Sequence, residues 1–350
     1  MNETIKFKNQ VREYLVQQYL EALHQERIPW QQGWNKVGPN RNGVTEKPYR
    51  GINALVLQLN QIMFNYTDPR WCTFKQIKDQ GWHLQKGSKG TTLEFWSMYD
   101  KVNKQNITIQ DYNAYIENGR PKEEFRIINR LFTVFNAKCI DGIPDLVLET
   151  KNEIQQNQII QKIIENMNVK YEEKGDSAYY RPREDKIVLP PSSRFHSTYE
   201  YNATKLHEMC HASGHPTRLN RNLNNAFGSI EYAKEELRAE IGSSFLMQEL
   251  GLSLGPEHIE NHKAYIQSWI TILENDPNEL FAAVKDADKI ADYMREKGEL
   301  YQEKNIENQL SPHLSKRKSL KERKQEARRI GEEHRTLQKK IKTKNQDITL

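Results

Sequence analysis

The sequence predicts an α+β protein: a small α+β domain over 1–145, a mainly helical domain over 146–300, and a basic tail over 301–350 that is helical or disordered. Three observations carry this expectation. Strand-type runs such as TTLEFW (91–96) and RLFTVF (130–135) lie among short helical patterns before residue 145. Beyond it, most patterned segments space their apolar residues by three and four, the helical period. The last 50 residues hold 14 Lys/Arg against 7 Asp/Glu, without sustained heptads.

Residues 1–25 read as one helix, since Val11, Leu15, Tyr19, Leu20 and Leu23 recur at helical spacing. The Gly-, Pro- and Asn-rich stretch 28–52 reads as loop with short extended pieces. Helices are expected over 52–64 and over 73–80, the second capped by Thr73. Strands are expected within 81–99 and 125–136. The Gln/Asn-rich segment 146–160 is a linker or the start of the next helix, which is expected over 157–167. The extended piece SAYYRPREDKIVLP then leads to a helix over about 198–213, with Gly214 well placed to end it. Helices over 231–250, 256–274 and 277–297 complete this domain.

At 350 residues the chain can bury a sizeable core and is expected to form two domains. Hydrophobic residues make up 36% and mean hydropathy is −0.89, with no apolar run long enough to cross a membrane. The N-terminus lacks a signal-peptide core, and three scattered cysteines make no disulfide framework. These features favour the cytoplasm and no membrane partner. The whole chain is +5 and the tail +7, which leaves −2 for the first 300 residues. Overall basicity is therefore poor evidence for what the folded part binds.

His207-Glu208-Met209-Cys210-His211 is the stretch where residue type and spacing together imply a reaction. On a helix, positions i and i+4 share one face, so two imidazoles reach one ion. A Glu directly after the first His can take a proton from a water on that ion as it attacks a carbonyl. Zn²⁺ is the expected metal, and catalytic zinc usually has three protein ligands. The extended pattern with a third His fails here, because position 217 is Thr and His215 falls two residues early. Glu235, Glu236 and Glu240 instead lie on a strongly helical downstream segment. Glu236 is the expected third ligand, with Glu240 one turn on orienting a ligand imidazole. Glu240 or His215 as the ligand are the alternatives. The segment Asp185-Lys186-Ile187-Val188-Leu189-Pro190 reads as an edge strand, and Ile187 and Val188 are candidates to hold an extended substrate.

Five of the six tryptophans lie between residues 30 and 96, interleaved with cations. Aromatic faces that stack on bases beside cations for phosphates are what single-stranded nucleic acid binding needs. The candidates are Trp30, Trp34, Tyr49, Arg50, Arg70, Lys75, Trp82, Lys86 and Lys89. Trp71 and Phe95 are expected in the core instead. Lys86-Gly87-Ser88-Lys89-Gly90 reads as a tight turn whose cations and N–H groups suit a phosphate.

Together the two halves resemble the ArdC-type antirestriction proteins of plasmids, phages and conjugative elements. The first half matches at Trp30, Gly33, Pro39, Lys47-Pro48-Tyr49-Arg50-Gly51-Ile52-Asn53, Asp68-Pro69-Arg70-Trp71-Cys72-Thr73-Phe74-Lys75-Gln76 and Lys86-Gly87-Ser88-Lys89-Gly90-Thr91. Phe135-Asn136 and Gly142-Ile143-Pro144 resemble the end of that domain. The second half matches at His207-Glu208, His211, Gly214-His215, Arg218-Leu219, Arg221, Phe227-Gly228-Ser229, Tyr232-Ala233, Glu235-Glu236-Leu237 and Ala239-Glu240. The resemblance covers about 27–297 and leaves the tail outside. It implies single-stranded DNA binding by the first domain, a zincin-like metallopeptidase fold in the second, and protection of incoming DNA from restriction. The peptide or protein substrate is unknown. Two other functions stay open: a DNA-binding protection factor with a structural or inactive zinc site, and a protease whose first domain binds a protein partner.

Overall fold

The computed structural model describes residues 3–26, 38–147, 151–223, 225–252 and 263–300. The described chain divides into two compact units, one drawn from Met1–Leu93 and Thr133–Gln302, the other from Glu94–Phe132. The elements of the first half are α1 (Glu3–His24), β1 (Arg41–Asn42), α2 (Gly51–Phe64), β2 (Arg70–Thr73), α3 (Phe74–Asp79), β3 (His83–Leu84), β4 (Thr91–Asp100), β5 (Gln105–Ile107), α4 (Ile109–Glu117), β6 (Phe125–Asn136) and β7 (Ile140–Asp141). The second half holds α5 (Glu153–Met167), β8 (Lys170–Glu173), β9 (Tyr179–Arg181), β10 (Lys186–Leu189), α6 (Thr198–Ala212), α7 (Ile230–Leu250), α8 (Lys263–Asn275) and α9 (Asn278–Lys297). The chain is thus α+β, as its sequence predicts.

In the larger unit, α7 is the central element. Every residue from Ala239 to Gln248 is buried, so this helix is covered on all faces. Its narrow point is Gly242, where a Cβ would come within 3.2 Å of Ile290 on α9 and 3.5 Å of Cys210 on α6. A small residue there lets three helices approach closely. The same core takes in Leu15, Tyr19 and Leu23 of α1 and Leu55 of α2, beside Leu206, Leu237, Trp269 and Ile290. The Tyr19 hydroxyl donates to the Leu55 carbonyl at 3.0 Å, which satisfies its one polar atom.

Local signals explain several helix starts. Thr73 and Gln76 form a reciprocal capping box on α3, and Asn152 and Gln155 do the same on α5. The second box starts α5 at Glu153, earlier than the expected 157. Thr108 and Asp111 cap α4, a helix the sequence pattern did not reveal. The last expected helix pair appears as α8 and α9; the first residues expected of α8, over 256–262, lie outside the described residues. So does the 301–350 tail.

Two strand assignments need correction. Ile187 and Val188 lie on the central strand of a three-stranded sheet of order β8-β10-β9, not on an edge. β10 runs parallel to β8 and antiparallel to β9, so its ladder groups are taken on both sides and both side chains are fully buried. Phe95, expected in the core, is 55% exposed, whereas Trp71 is fully buried with its indole donating to Asn40 at 2.7 Å.

The smaller unit is held by a buried ion pair. The Arg120 guanidinium binds Asp100 at 2.6 and 3.0 Å and Glu124 at 2.6 and 2.8 Å, beneath the rings of Tyr115 and Phe125. Burial raises the Asp100 carboxyl, but the bonds from Arg120 and Asn103 outweigh it and lower its pKa to about 2. A lowered carboxylate contributes stability above its unfolded pKa of about 3.9. That contribution is lost as pH falls toward about 2. Replacing Asp100 by Asn should cost about 3 kcal/mol, because Arg120 then stays buried with half its partners. Hydrogen exchange of the 94–132 amides at neutral pH checks this; protection equal to wild type refutes it.

Candidate metal centre

The HExxH segment lies on α6, where Ser197 caps the N-terminus by accepting from the Glu200 N–H. One turn apart on this helix, His207 and His211 hold their rings nearly perpendicular, at 84° and 4.7 Å between centroids. Their Nε2 atoms are 3.1 Å apart. Glu236, on α7, brings Oε2 to 3.3 Å from His207 Nε2 and Oε1 to 3.4 Å from His211 Nε2. Tetrahedral donors at bond lengths near 2.0–2.1 Å lie about 3.3 Å from one another. The two imidazole nitrogens fall close to that edge length and Glu236 turns one oxygen toward each; one ligand atom from each of the three residues lies within 4.8 Å of the others, so these side chains can converge on one small divalent ion. Among the described residues they are the cluster able to hold a metal.

The outer nitrogens of both rings are engaged as well. His207 Nδ1 lies 3.0 Å from Glu240 Oε1, and His211 Nδ1 lies 3.3 Å from Glu235 Oε1. Glu240 thus stands behind one imidazole, the place the sequence spacing suggested for it. Glu235 stands behind the other, a partner that spacing did not reveal. Consecutive residues on a helix point about 100° apart. Glu235 and Glu236 therefore address opposite sides of the same His. Glu235 is itself gripped by Arg221, at 2.7 Å through Nη2 and 3.1 Å through Nε. Arg221 also donates to the Cys210 carbonyl and the Ser213 hydroxyl at the end of α6. Gly214 makes room for it: a Cβ there would lie 3.0 Å from the guanidinium. Gly214 matters for close approach rather than for a left-handed cap. His215 bonds Thr217 at 2.8 Å and is not in the cluster.

Burial disfavours a charged His211, but Glu236 and Glu235 outweigh it and raise its pKa to about 9. Burial likewise disfavours a charged His207, yet Glu240 and Glu236 raise its pKa. The field at the ring nitrogens favours positive charge, as a cation site requires. Burial pushes the Glu208 carboxyl up, while the imidazoles and the Tyr180 backbone N–H pull the other way.

A cleft of about 610 Å³ opens over these groups, lined also by Tyr179, Tyr180, Tyr232, Met247 and Tyr265. Its strand wall is β9, an edge strand of the three-stranded sheet. Tyr180 is anchored by its hydroxyl on Asp185 at 2.7 Å, and Asp185 pairs with Arg218. Arg218 donates to the Ala212 carbonyl at 2.8 Å, which ties the β9–β10 turn to the end of the metal helix.

The sequence-derived nucleic-acid candidates fare unevenly. Trp30 and Trp34 lie outside the described residues. Arg70 is corrected: it is 7% exposed and bound by Asp68 through two bonds of 2.8 and 3.0 Å, so it offers no free cation. Arg50 is spent on Asp292 at 2.5 Å, beside the Gly51 N–H on Asp288. Tyr49 is half-buried and accepts from Asn42. Trp82 is half-buried against Cys72, Ile77 and Ile140. Lys75, Lys86 and Lys89 are exposed, with Lys75 paired to Asp79 and Lys89 above the Phe64 ring. In the KGSKG turn, Gly90 is needed for packing: a Cβ would strike Thr133 at 2.3 Å. No helix among the described residues is long and apolar enough to cross a membrane.

Known proteins share both halves. Residues 9–135 match the N-terminal domain of anti-restriction factor ArdC, and residues 158–286 match a zincin-like metallopeptidase domain. Two DNA primases TraC of Escherichia coli are 37% and 36% identical over 84% and 86% of this chain. The chain spans only 20% and 28% of their length. An uncharacterized protein y4eC of Sinorhizobium fredii is 30% identical over 77% of this chain and 84% of its own. Two crystal structures of the antirestriction ArdC protein from the R388 plasmid, metal-free and Mn(II)-bound, superpose with TM-scores of 0.63 and 0.65. Each is 28% identical and covers 83% of this chain, over 98% and 99% of its own.

The carboxylates behind the imidazoles make a prediction. Glu235→Gln should weaken Mn²⁺ or Zn²⁺ affinity by roughly 10–100-fold, because the orienting partner of His211 loses its charge. Calorimetric titration of the metal-stripped protein measures this, and an unchanged affinity would remove Glu235 from the site.

Proposed function

The chain belongs to the ArdC-type antirestriction family, and we propose that it binds single-stranded DNA and carries a working metal-dependent peptidase. The observation that supports the hydrolytic half most is the convergence of His207, His211 and Glu236, with Glu208 beside them in an open cleft. These three residues would hold the ion. Zn²⁺ is the proposed metal, and a Mn(II)-bound relative supports a divalent site of this kind. Such an ion supplies Lewis-acid chemistry to hydrolysis.

The chain's own residues supply the rest. Glu208 acts as the proton carrier: it accepts a proton from the attacking water and passes it to the leaving amide nitrogen. Its carboxylate is steadied by the Tyr180 N–H, and burial brings its pKa upward, closer to the working range of a base. Glu240 and Glu235 hold the imidazoles in their binding tautomer. An extended peptide would add to the open edge of β9, using backbone bonds that do not depend on side chains. A purely structural metal would more often have a fourth protein ligand, whereas among the described residues the cluster has three and faces a cleft.

For the DNA half, support comes from the match over residues 9–135 and from the exposed Lys75, Lys86 and Lys89. The role proposed is protection of incoming single-stranded DNA from restriction in a new host.

Two measurements test these halves. Glu208→Gln should retain its metal, while hydrolysis of unfolded casein falls by about 10²–10⁴-fold. Turnover equal to wild type would falsify the catalytic assignment. The full chain should bind oligo(dT) more weakly as salt rises, since phosphate neutralisation releases counterions. Absence of binding at low salt defeats the DNA reading.

A further inference from the structure

The smaller unit has a feature that the sequence-derived DNA candidates do not include. β4 and β6 are neighbours in their sheet. The Lys101 N–H donates to the Glu124 carbonyl at 2.8 Å, and the Arg126 guanidinium sits 4.8 Å from the centre of the Tyr99 ring. These contacts set an antiparallel register with Tyr99 opposite Arg126. The two-residue repeat of a strand then brings Ser97 opposite Ile128 and Phe95 opposite Arg130, all on one face.

That face repeats one unit twice: an aromatic ring beside an arginine. Phe95 is 55% exposed, Tyr99 is half-buried with Ser97 buried between them in the strand, and Arg126 and Arg130 are both exposed. Neither arginine has a carboxylate within ion-pair distance among the described residues. The acids nearby are occupied: Asp100 and Glu124 bind Arg120, and Glu94 is buried and accepts from the Trp96 indole at 2.8 Å. An exposed ring such as Phe95 in a strand face is open to a binding partner, and clustered exposed apolar groups are usually interaction sites. A face made of rings and unneutralised guanidinium groups suits unpaired bases and the phosphates between them.

We infer that this β4–β6 face, through Phe95, Tyr99, Arg126 and Arg130, is where single-stranded DNA stacks on the protein. The inference rests on the DNA reading above and names the surface that performs it. Bases of a duplex are already stacked on each other, so the face selects single strands. It also leaves Arg70, buried against Asp68, out of the candidates, and Arg50 is already paired with Asp292.

The test uses the full chain and fluorescent oligo(dT), with binding followed by anisotropy across a salt series. Phe95→Ala should weaken binding by roughly 10-fold, the loss of one stacked base. The double variant Arg126→Ala/Arg130→Ala should flatten the salt slope by about 1.4, two single-strand phosphate contacts. Ile109→Ala, another exposed apolar change in the same unit, should bind as wild type. Thermal unfolding of each variant should match wild type, since the changed side chains are exposed. Wild-type affinity and slope in the Phe95 and arginine variants overturn this face while sparing the DNA reading. No oligo(dT) binding by wild type at low salt overturns both. An equal loss in Ile109→Ala also overturns it, because the effect would then not belong to this face.

Discussion

The structure depends on three glutamates and two histidines held together in a largely buried cluster. A buried carboxylate is strongly disfavoured unless charges or donors face it. Here each group has a counterpart: Glu236 faces both Nε2 atoms, Glu240 and Glu235 face the two Nδ1 atoms, and Arg221 grips Glu235. Remove one partner and another is stranded. The arrangement holds because α6 and α7 are locked at a fixed distance and rotation. Gly242 and the buried run from Ala239 to Gln248 let α7 sit deep between α6 and α9. Core packing is therefore what sets the donor spacings, and the spacings are what make the cluster fit a metal.

The same economy of charge governs the N-terminal segments. Arg70 with Asp68 and Arg120 with Asp100 and Glu124 are interior fasteners rather than free cations, and Arg50 is paired with Asp292 nearer the surface. Basic residues counted along the chain overstate the charge available to a polyanion. What stays outside includes the lysines of α3 and the KGSKG turn, and Arg126 and Arg130 of β6. A protein with a net charge of only +5 has to concentrate its useful cations in this way if it is to hold DNA.

Glu235 shows where reading along the chain stops. It stands next to Glu236 in a plainly helical stretch, and nothing in that stretch says which carboxylate meets which nitrogen. The choice follows from the roll of α7 about its own axis, which contacts with α6, α8 and α9 impose. The edge strand is a second case. DKIVLP has the composition of a strand, but β8 returns parallel to it from one side and β9 antiparallel from the other. Sheet position is a property of the pairing, so the strand that lines the cleft is β9, with Tyr179 and Tyr180, rather than the strand of Ile187 and Val188.

The sequence by itself determined what depends on residues within a turn or two of each other. The paired histidines of α6, the helical periods of α7 and α9, the Thr73 cap, the exclusion of the extended-His class by Thr217, and the α+β order of elements all belong here. Such features rest on short-range geometry, which each segment carries wherever it goes. Only the tertiary structure decided the partners of Glu235, Arg221, Arg50 and Arg70, the central place of β10, and the exposure of Phe95. Each of these joins groups far apart in the chain, or depends on what covers a strand. Long-range contacts are selected by how whole surfaces pack, and no local pattern encodes them.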